Sequence, residues 1–496
     1  MSENILALDI GTQSVRAAVV TGGGEILGIG QCPHEVDTPH PNWARQRPDD
    51  WWDEACRAVR HVLDETGAAP DSLAAVATCG QMHGPVGVDE RGDVTTPWVQ
   101  LWCDKRCEPQ CERLRRDHDE PRLAAIAANP VNPAWTGLKV RWHRDNEPGV
   151  YDRTRWFLVP KDFINFRLTG VAAADPSEAS GSFLWDCEQD CYSEELAAAV
   201  GVDLDRFAPV SASHEVIGTV TDEAAGLTGI PAGTPVVAGG GDFPVSMLGF
   251  GVVGEGTTAD VTGTSTLLAA SSAKPLIHPA VQNLRHVVNG WIPFTILDCG
   301  GLSMKWCRDL VGSMTGQETS FEALIERAAQ APPGSEGLLF YPYMLGERRR
   351  ENTAGRGGYV GITLRHGGPH FIRAVMEGVA LAMGRDVGIF RSLGVEIERV
   401  FCVGGGARNP LWNQIKADVL GVPLLLSDEP EAGLKGAALL GAAGAGLIDD
   451  PAATARARRA SGTAVRPQAD TRRAYEEALR EFTRYYDHML GYWQPR

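Results

Sequence analysis

Two aspartates stand at strand ends beside glycine turns. Asp9 lies two residues ahead of Gly11 in "ILALDIGTQSVRAAVV" (residues 5–20), and Asp242 directly follows three glycines in "PVVAGGGDFPVSMLGFG" (235–251). Glycine-rich turns leaving buried strands let backbone N–H groups come close to a phosphate and point at it. Four such turns occur, at 11–14, 239–241, 263–265 and 404–406. One alone is ordinary turn chemistry. Four, two of them beside a carboxylate, suggest that one carboxylate holds a hard cation such as Mg²⁺ while the other accepts a proton, the division of labour phosphoryl transfer needs. The pattern GxxxxGK[ST] is absent, which argues against a P-loop enzyme.

Strand-like and helix-like patterns alternate along most of the chain, an α/β signature. The opening stretch reads as strand, Gly-Thr turn and returning strand, and "GTTADVTGTSTLLAA" (256–270) repeats it half a chain later. "RPDDWWDEACRAVRHVLDETG" predicts a helix capped by Asp49 or Asp50 and ended by Gly67. "LAAVATCG" predicts a buried strand, "VPKDFINFRLTG" a helix, and "VFCVGGGARNPLWNQIKADVLG" another strand, triple glycine and helix. "EAGLKGAALLGAAGAG" predicts a helix of small residues. The last helix carries an apolar stripe through Ala474, Ala478, Phe482, Tyr485 and Met489. Two related α/β domains, 1–247 and 248–496, account for the echo better than one long sheet.

Composition narrows the classes. A chain of 496 residues is too long for one core. Its 63 acidic against 46 basic side chains give a formal charge of −17, which argues against nucleic acid or a membrane surface as a general partner. No window approaches the ~20 consecutive apolar residues of a membrane helix. The N-terminus shows no basic stretch followed by an apolar one, so the expected location is the cytoplasm. Eleven scattered cysteines do not read as a disulfide framework. Cys103, Cys107 and Cys111 are spaced to stack on one helical face, without the turn or the histidines a metal site needs, and Cys187 and Cys191 are read the same way.

The motifs resemble the FGGY carbohydrate kinases of the actin-like ATPase superfamily, and within them most closely the xylulokinases. The resemblance runs in order through "LDIGTQSVR", "HPNWARQRPDDWW", "GQMHG", "WCDKRC", "VPKDFINFRLTG", "GGGDF", "TGTS", "YPYMLGER" and "VGGGARNPLWNQIKADVLG". It implies two actin-like (ribonuclease H-like) domains with a cleft between them, the first binding sugar and carrying the first phosphate loop, the second binding nucleotide. It implies ATP and Mg²⁺, with Asp9 as the metal ligand. Thr12, Gln13, Ser14 and Arg16 match the first phosphate loop and Thr264 the second. Gly301 and Lys305 match positions beside the nucleotide, and Gly405 with Asn409 the adenosine site. Asp242 matches the catalytic base. Gln81, Met82, His83 and Asp104 match the sugar pocket, joined by Asp242 and Phe243. A homodimer is compatible with the sequence.

Three departures bear on the substrate. Phe243 stands where an Asn or another amide is usual, Cys103 where Asn or Gln is usual, and "GERRR" where a Thr-Pro often follows the first Arg. Two polar sugar contacts thus become a ring and a thiol, which favours a smaller, deoxygenated or differently oriented polyol over D-xylulose; the leading reading is an ATP-dependent kinase for a ketopentose such as D-xylulose or a close relative. Other readings are a kinase for ribulose, a tetritol, a glycerol-like or an autoinducer-type diol. From other classes come an actin-like chaperone or assembly ATPase, which needs a separate peptide-binding domain, and a sugar sensor without catalysis, which has no need of both aspartates.

Overall fold

Each half of the chain opens with an antiparallel meander and continues it with parallel strands. The computed structural model describes residues 3–347, 354–427, 429–459 and 462–493. Its first sheet contains β1 (Asn4–Ile10), β2 (Ser14–Thr21), β3 (Ile26–Pro33), β4 (Leu73–Gly80), β5 (Val216–Thr219), β6 (Pro235–Val237) and β7 (Gly240–Gly241). The order is β5-β6-β4-β1-β2-β3, with β7 also pairing β4. β1, β2 and β3 are antiparallel neighbours, whereas β4 runs parallel to β1 and β6 parallel to β4.

The second sheet contains β8 (Thr258–Thr262), β9 (Thr266–Ala270), β10 (Gln282–Arg285), β11 (Trp291–Leu297), β12 (Val400–Val403), β13 (Leu424–Leu426) and β14 (Thr463–Val465). Its order, β10-β11-β9-β8-β12-β13-β14, repeats the wiring of the first. The β8–β9 and β9–β11 pairs are antiparallel, and β12 and β13 follow in parallel. The repeated hairpin of the sequence is therefore the first turn of a repeated sheet. Parallel neighbours need long crossovers, and helices supply them.

Eight helices matter for the site: α1 (Pro48–Thr66), α2 (Pro160–Thr169), α3 (Pro176–Ser180), α4 (Asp242–Gly249), α5 (Gly301–Thr315), α6 (Pro410–Leu420), α7 (Ala432–Gly444) and α8 (Ala469–Leu490). α1 ends as expected at Gly67, at φ 60°, but its cap is Arg47. Pro48, which lacks an N–H, takes the first helical position, so Asp49 and Asp50 fall in the first turn and favour the positive end of the helix dipole. In α8 Phe482 is buried with Ala478 and Met489 packed beside it, as the stripe predicts, while Tyr485 is exposed and its neighbour Tyr486 is buried together with Tyr475. The cysteine stack is not one helical face: the helix there is Glu108–Asp117, so Cys107 only precedes it and Cys103 lies outside it. All eleven cysteines are free thiols.

α7 follows residue 247 by almost two hundred positions in sequence, yet it packs on the first sheet. Leu434, Ala437, Ala438 and Leu440 share one buried cluster with Ile5, Ala7, Ala77 and Val245. Its small residues allow this approach. A Cβ at Gly436 would lie 2.1 Å from the Val245 carbonyl oxygen. Among the described residues no helix is long and apolar enough to cross a membrane.

Candidate active site

The first hairpin presents Asp9 near the end of β1, in register with Arg16 on β2. Gly11 N–H donates to the Ser14 carbonyl at 3.0 Å and closes the turn. A ring of side chains fixes that turn. Trp102 Nε1 donates to Thr12 Oγ1 at 3.2 Å, and Thr12 Oγ1 donates to Gln81 Oε1 at 3.2 Å. Gln81 Nε2 donates to Gln46 Oε1 at 2.9 Å, and Gln46 Nε2 returns to the Thr12 carbonyl at 2.8 Å. Gln13 is exposed, and its carbonyl accepts the His34 N–H. Ser14 Oγ accepts from Gln31.

The β7–α4 junction presents Asp242. Gly239 sits at φ 72°, and a Cβ there would meet the Thr78 carbonyl oxygen at 2.0 Å, so only glycine fits. Gly241 N–H donates to Ser177 Oγ at 3.0 Å, and Ser177 Oγ donates to Asp175 Oδ2 at 2.6 Å. Asp175 Oδ1 pairs with Lys161 Nζ at 2.9 Å, and Lys161 also holds the Ala238 carbonyl. A fully buried polar platform from α2 and α3 thus supports the backbone on which Asp242 begins α4. Asp242 is half-buried, and Oδ1 accepts its neighbour's Phe243 N–H at 2.7 Å. Burial, reinforced by the negative charge of Asp9, pushes its carboxyl up to about 7; the Phe243 N–H opposes this.

The sugar-loop candidates are brought together unequally. Met82 packs against Gly241, where a Cβ would lie 2.6 Å from its sulfur. His83 is buried at φ 72°, its ring edge-on to Trp135 at 5.1 Å. Such a backbone costs a non-glycine residue ~1–3 kcal/mol and persists only where packing enforces it. Phe243 is half-buried against Phe294, ring centres 5.2 Å apart, beside the apolar cluster that includes Met82. Gln81 spends its amide on Thr12 and Gln46 at the first hairpin turn. Asp104 is fully buried: Oδ2 accepts from Ala44 N–H at 2.8 Å and Arg106 Nη2 at 2.6 Å, and Oδ1 from Arg106 N–H at 2.9 Å. Instead of lining an open pocket, its carboxylate fixes the chain at 44 and orients Arg106 over Trp43.

On the other side, the second hairpin closes with Gly263 N–H donating to Ser265 O at 2.9 Å, leaving Thr264 exposed. Gly301 presses on this turn. Its N–H donates to Gly263 O at 3.1 Å, and a Cβ would lie 2.1 Å from that oxygen. Lys305 is exposed, one turn into α5. Gly405 opens the short turn Gly405–Arg408, and Asn409 caps α6 by accepting the Trp412 N–H at 3.1 Å. Beneath both turns, Lys416 Nζ bonds Asp260 Oδ2 at 2.6 Å and Thr262 Oγ1 at 3.0 Å, with Lys416 and Asp260 each 1% exposed. β8 therefore also carries an aspartate near its end, but this one is neutralised and anchors the turn. Of "GERRR", Arg348 to Arg350 lie outside the described residues.

The donors suit a hard cation. Among the described residues no group of three or more His, Cys, Asp or Glu side chains could hold a metal by itself. Mg²⁺ commonly takes one or two carboxylates and completes its shell with water and phosphate oxygens, a set Asp9 fits. Sequence reading missed Ser177 and also Glu431, whose Oε2 lies 2.6 Å from Arg16 Nη1. The small-residue stretch "DPSEASGS" was the only signal for Ser177, and none pointed to Glu431.

Residues 4–249 match the N-terminal domain of the FGGY family of carbohydrate kinases and residues 259–445 the C-terminal domain. A xylulose kinase of Escherichia coli (strain K12) is 31% identical over 423 residues, 84% of this chain and 85% of the relative. An autoinducer-2 kinase of Klebsiella pneumoniae is 28% identical over 510 residues, 98% and 94% of the two chains. The crystal structure of xylulose kinase from Rhodospirillum rubrum superposes with a TM-score of 0.93 at 29% identity, covering 99% of each chain.

Proposed function

The chain belongs to the FGGY family of carbohydrate kinases, ATP-dependent phosphotransferases with an alcohol group as acceptor, and we propose on that premise that it phosphorylates a ketopentose such as D-xylulose. One observation carries the reading: Asp242, a half-buried carboxyl pushed up to about 7 by burial and by the charge of Asp9, directly follows Gly241, on which Met82 packs. We assign residues 1–247 to sugar binding and the first phosphate loop, and 248–496 to nucleotide binding.

Asp242 accepts the proton of the attacking hydroxyl as its oxygen bonds the γ-phosphorus and the bond to the departing ADP oxygen breaks. Thr12, Gln13, Ser14 and Arg16 face the β- and γ-phosphates from the first hairpin, and Thr264 faces them from the second. Gly301, Lys305, Gly405 and Asn409 border the nucleotide. Mg²⁺, when bound at Asp9, offsets phosphate charge. Met82, His83 and Phe243 form the sugar wall and exclude water, which would otherwise take the phosphoryl group. The test is ADP release over a panel of ketoses, polyols and aldoses. A ketopentose is expected to stimulate it most, and no stimulation above the water background contradicts the reading.

Because the base must be ionised, kcat/KM is expected to fall as pH drops through about 7, the free-enzyme value of Asp242. An acid limb near the ordinary carboxylate range would remove Asp242 from the role.

A second reading, a kinase for a smaller or deoxy diol, is favoured by Phe243 and by the likeness to the autoinducer-2 kinase. An apolar wall discriminates only ~10²-fold against an added hydroxyl, whereas a hydrogen-bonding wall rejects its absence by ~10⁴-fold or more. Phe243→Asn is therefore expected to raise kcat/KM for D-xylulose relative to a deoxy analogue. An unchanged ratio would mean that Phe243 does not face the sugar.

A further inference from the structure

Arg16 is shared between two carboxylates from opposite ends of the chain. Its Nη2 lies 2.6 Å from Asp9 Oδ2 and its Nη1 2.6 Å from Glu431 Oε2. The three side chains are largely covered, with 25% exposure for Arg16, 11% for Asp9 and 22% for Glu431. Glu431 immediately precedes α7, whose first turn abuts the same site: a Cβ at Gly433 would lie 3.6 Å from Asp9 Oδ2. The loop carrying Glu431 is braced, with the Glu431 N–H donating to Glu429 Oε1 at 3.1 Å and Glu429 pairing with Lys435. It leaves β13, the parallel neighbour of the strand that ends in the 404–408 turn. Glu431 is thus fixed to both the nucleotide side and the first sheet.

A guanidinium can grip a carboxylate with two parallel N–H bonds, and in water-poor surroundings it does so strongly. At Asp9 that grip would compete with a cation for the same oxygens. We propose that Glu431 is a positioning residue that occupies one arm of Arg16 and so keeps Asp9 available to a hard divalent cation. This rests on Asp9 being the cation ligand of the proposed function. Without the Glu431 charge, Arg16 can turn both arms onto Asp9.

The test is direct binding of Mn²⁺ with ADP to the full chain, followed by electron paramagnetic resonance, so that no turnover is needed. Glu431→Gln is expected to weaken Mn²⁺ on the order of tenfold, the scale of one charge-assisted hydrogen bond, and to leave metal-free ADP affinity unchanged. Glu431→Asp, which keeps the charge but shortens the reach, is expected to show a smaller loss of the same kind. In an Arg16→Met background, Glu431→Gln is expected to add nothing, because the two residues act as a unit. Unchanged Mn²⁺ affinity in both Glu431 variants overturns the proposal. So does an equal loss in the Arg16→Met background, which would make Glu431 only a general source of negative field. A wild-type chain that binds no Mn²⁺ with ADP overturns the assignment of Asp9 itself, a different failure.

Discussion

Asp242→Asn is expected to lower kcat by ~10²–10⁴-fold, the usual contribution of a positioned general base. The amide matches the carboxylate in shape and cannot take the sugar proton. It begins α4 on the same backbone, held by Ser177 at Gly241, so the local structure has no reason to change. ATP binding, measured by calorimetric titration, is expected to stay close to wild type because Asp242 belongs to neither of the proposed phosphate hairpins, 9–16 and 262–266. The substitution also takes one of two carboxylates away from the site proposed for the phosphates, which further favours retained binding. Loss of kcat without loss of affinity marks an interaction made only in the transition state. Turnover near wild type in the variant would remove Asp242 from the base role.

The second large effect falls on stability. Lys416→Met leaves Asp260 buried, with Thr262 Oγ1 and the Cys402 thiol as its remaining hydrogen-bond partners. Breaking a buried pair by removing one partner typically costs ~3–5 kcal/mol, a large share of the ~5–15 kcal/mol that holds an ordinary domain. The expected result is a lower denaturant midpoint with little change of slope. Replacing Asp260 by Asn in the same chain is expected to recover part of the loss, since the uncompensated charge is then gone. Glycines 404 and 406 both crowd against Thr262, so the same variant is expected to bind ATP more weakly. A midpoint unchanged in Lys416→Met would show that Asp260 finds water or another partner.

What could be read from the sequence divides along range. The two hairpins were legible because strand alternation and Gly-Thr turns are local, and their repetition announced the repeated sheets. The strand, glycine turn and helix around Asp242 were legible because glycines at the end of a buried strand, followed by an apolar helix, are a local signal. α1 was legible as a helix, but its cap was not: Pro48 at the first position decided the register against two good capping aspartates. The α8 stripe was legible through Ala478, Phe482 and Met489, whereas Tyr486 is buried where Tyr485 was expected, because only the packed neighbours choose between two adjacent rings. Gln81 and Asp104 carry the right chemistry for a sugar pocket, yet that chemistry serves equally to hold backbone, and type alone does not tell the two uses apart. The Arg16–Glu431 contact spans 415 positions and the Ser177–Gly241 contact 64, so neither leaves a local period. The packing of α7 on the first sheet was hidden for the same reason.

Central to the proposed function is transfer of the γ-phosphate of ATP to a sugar hydroxyl with Asp242 as base. Its most direct test follows the phosphorus: phosphorus NMR of wild-type protein and Asp242→Asn with ATP, Mg²⁺ and D-xylulose. A sugar phosphomonoester signal growing in step with ADP for wild type, and almost absent for the variant, is the predicted result. Inorganic phosphate alone from wild type, or equal sugar phosphate from both proteins, would contradict it.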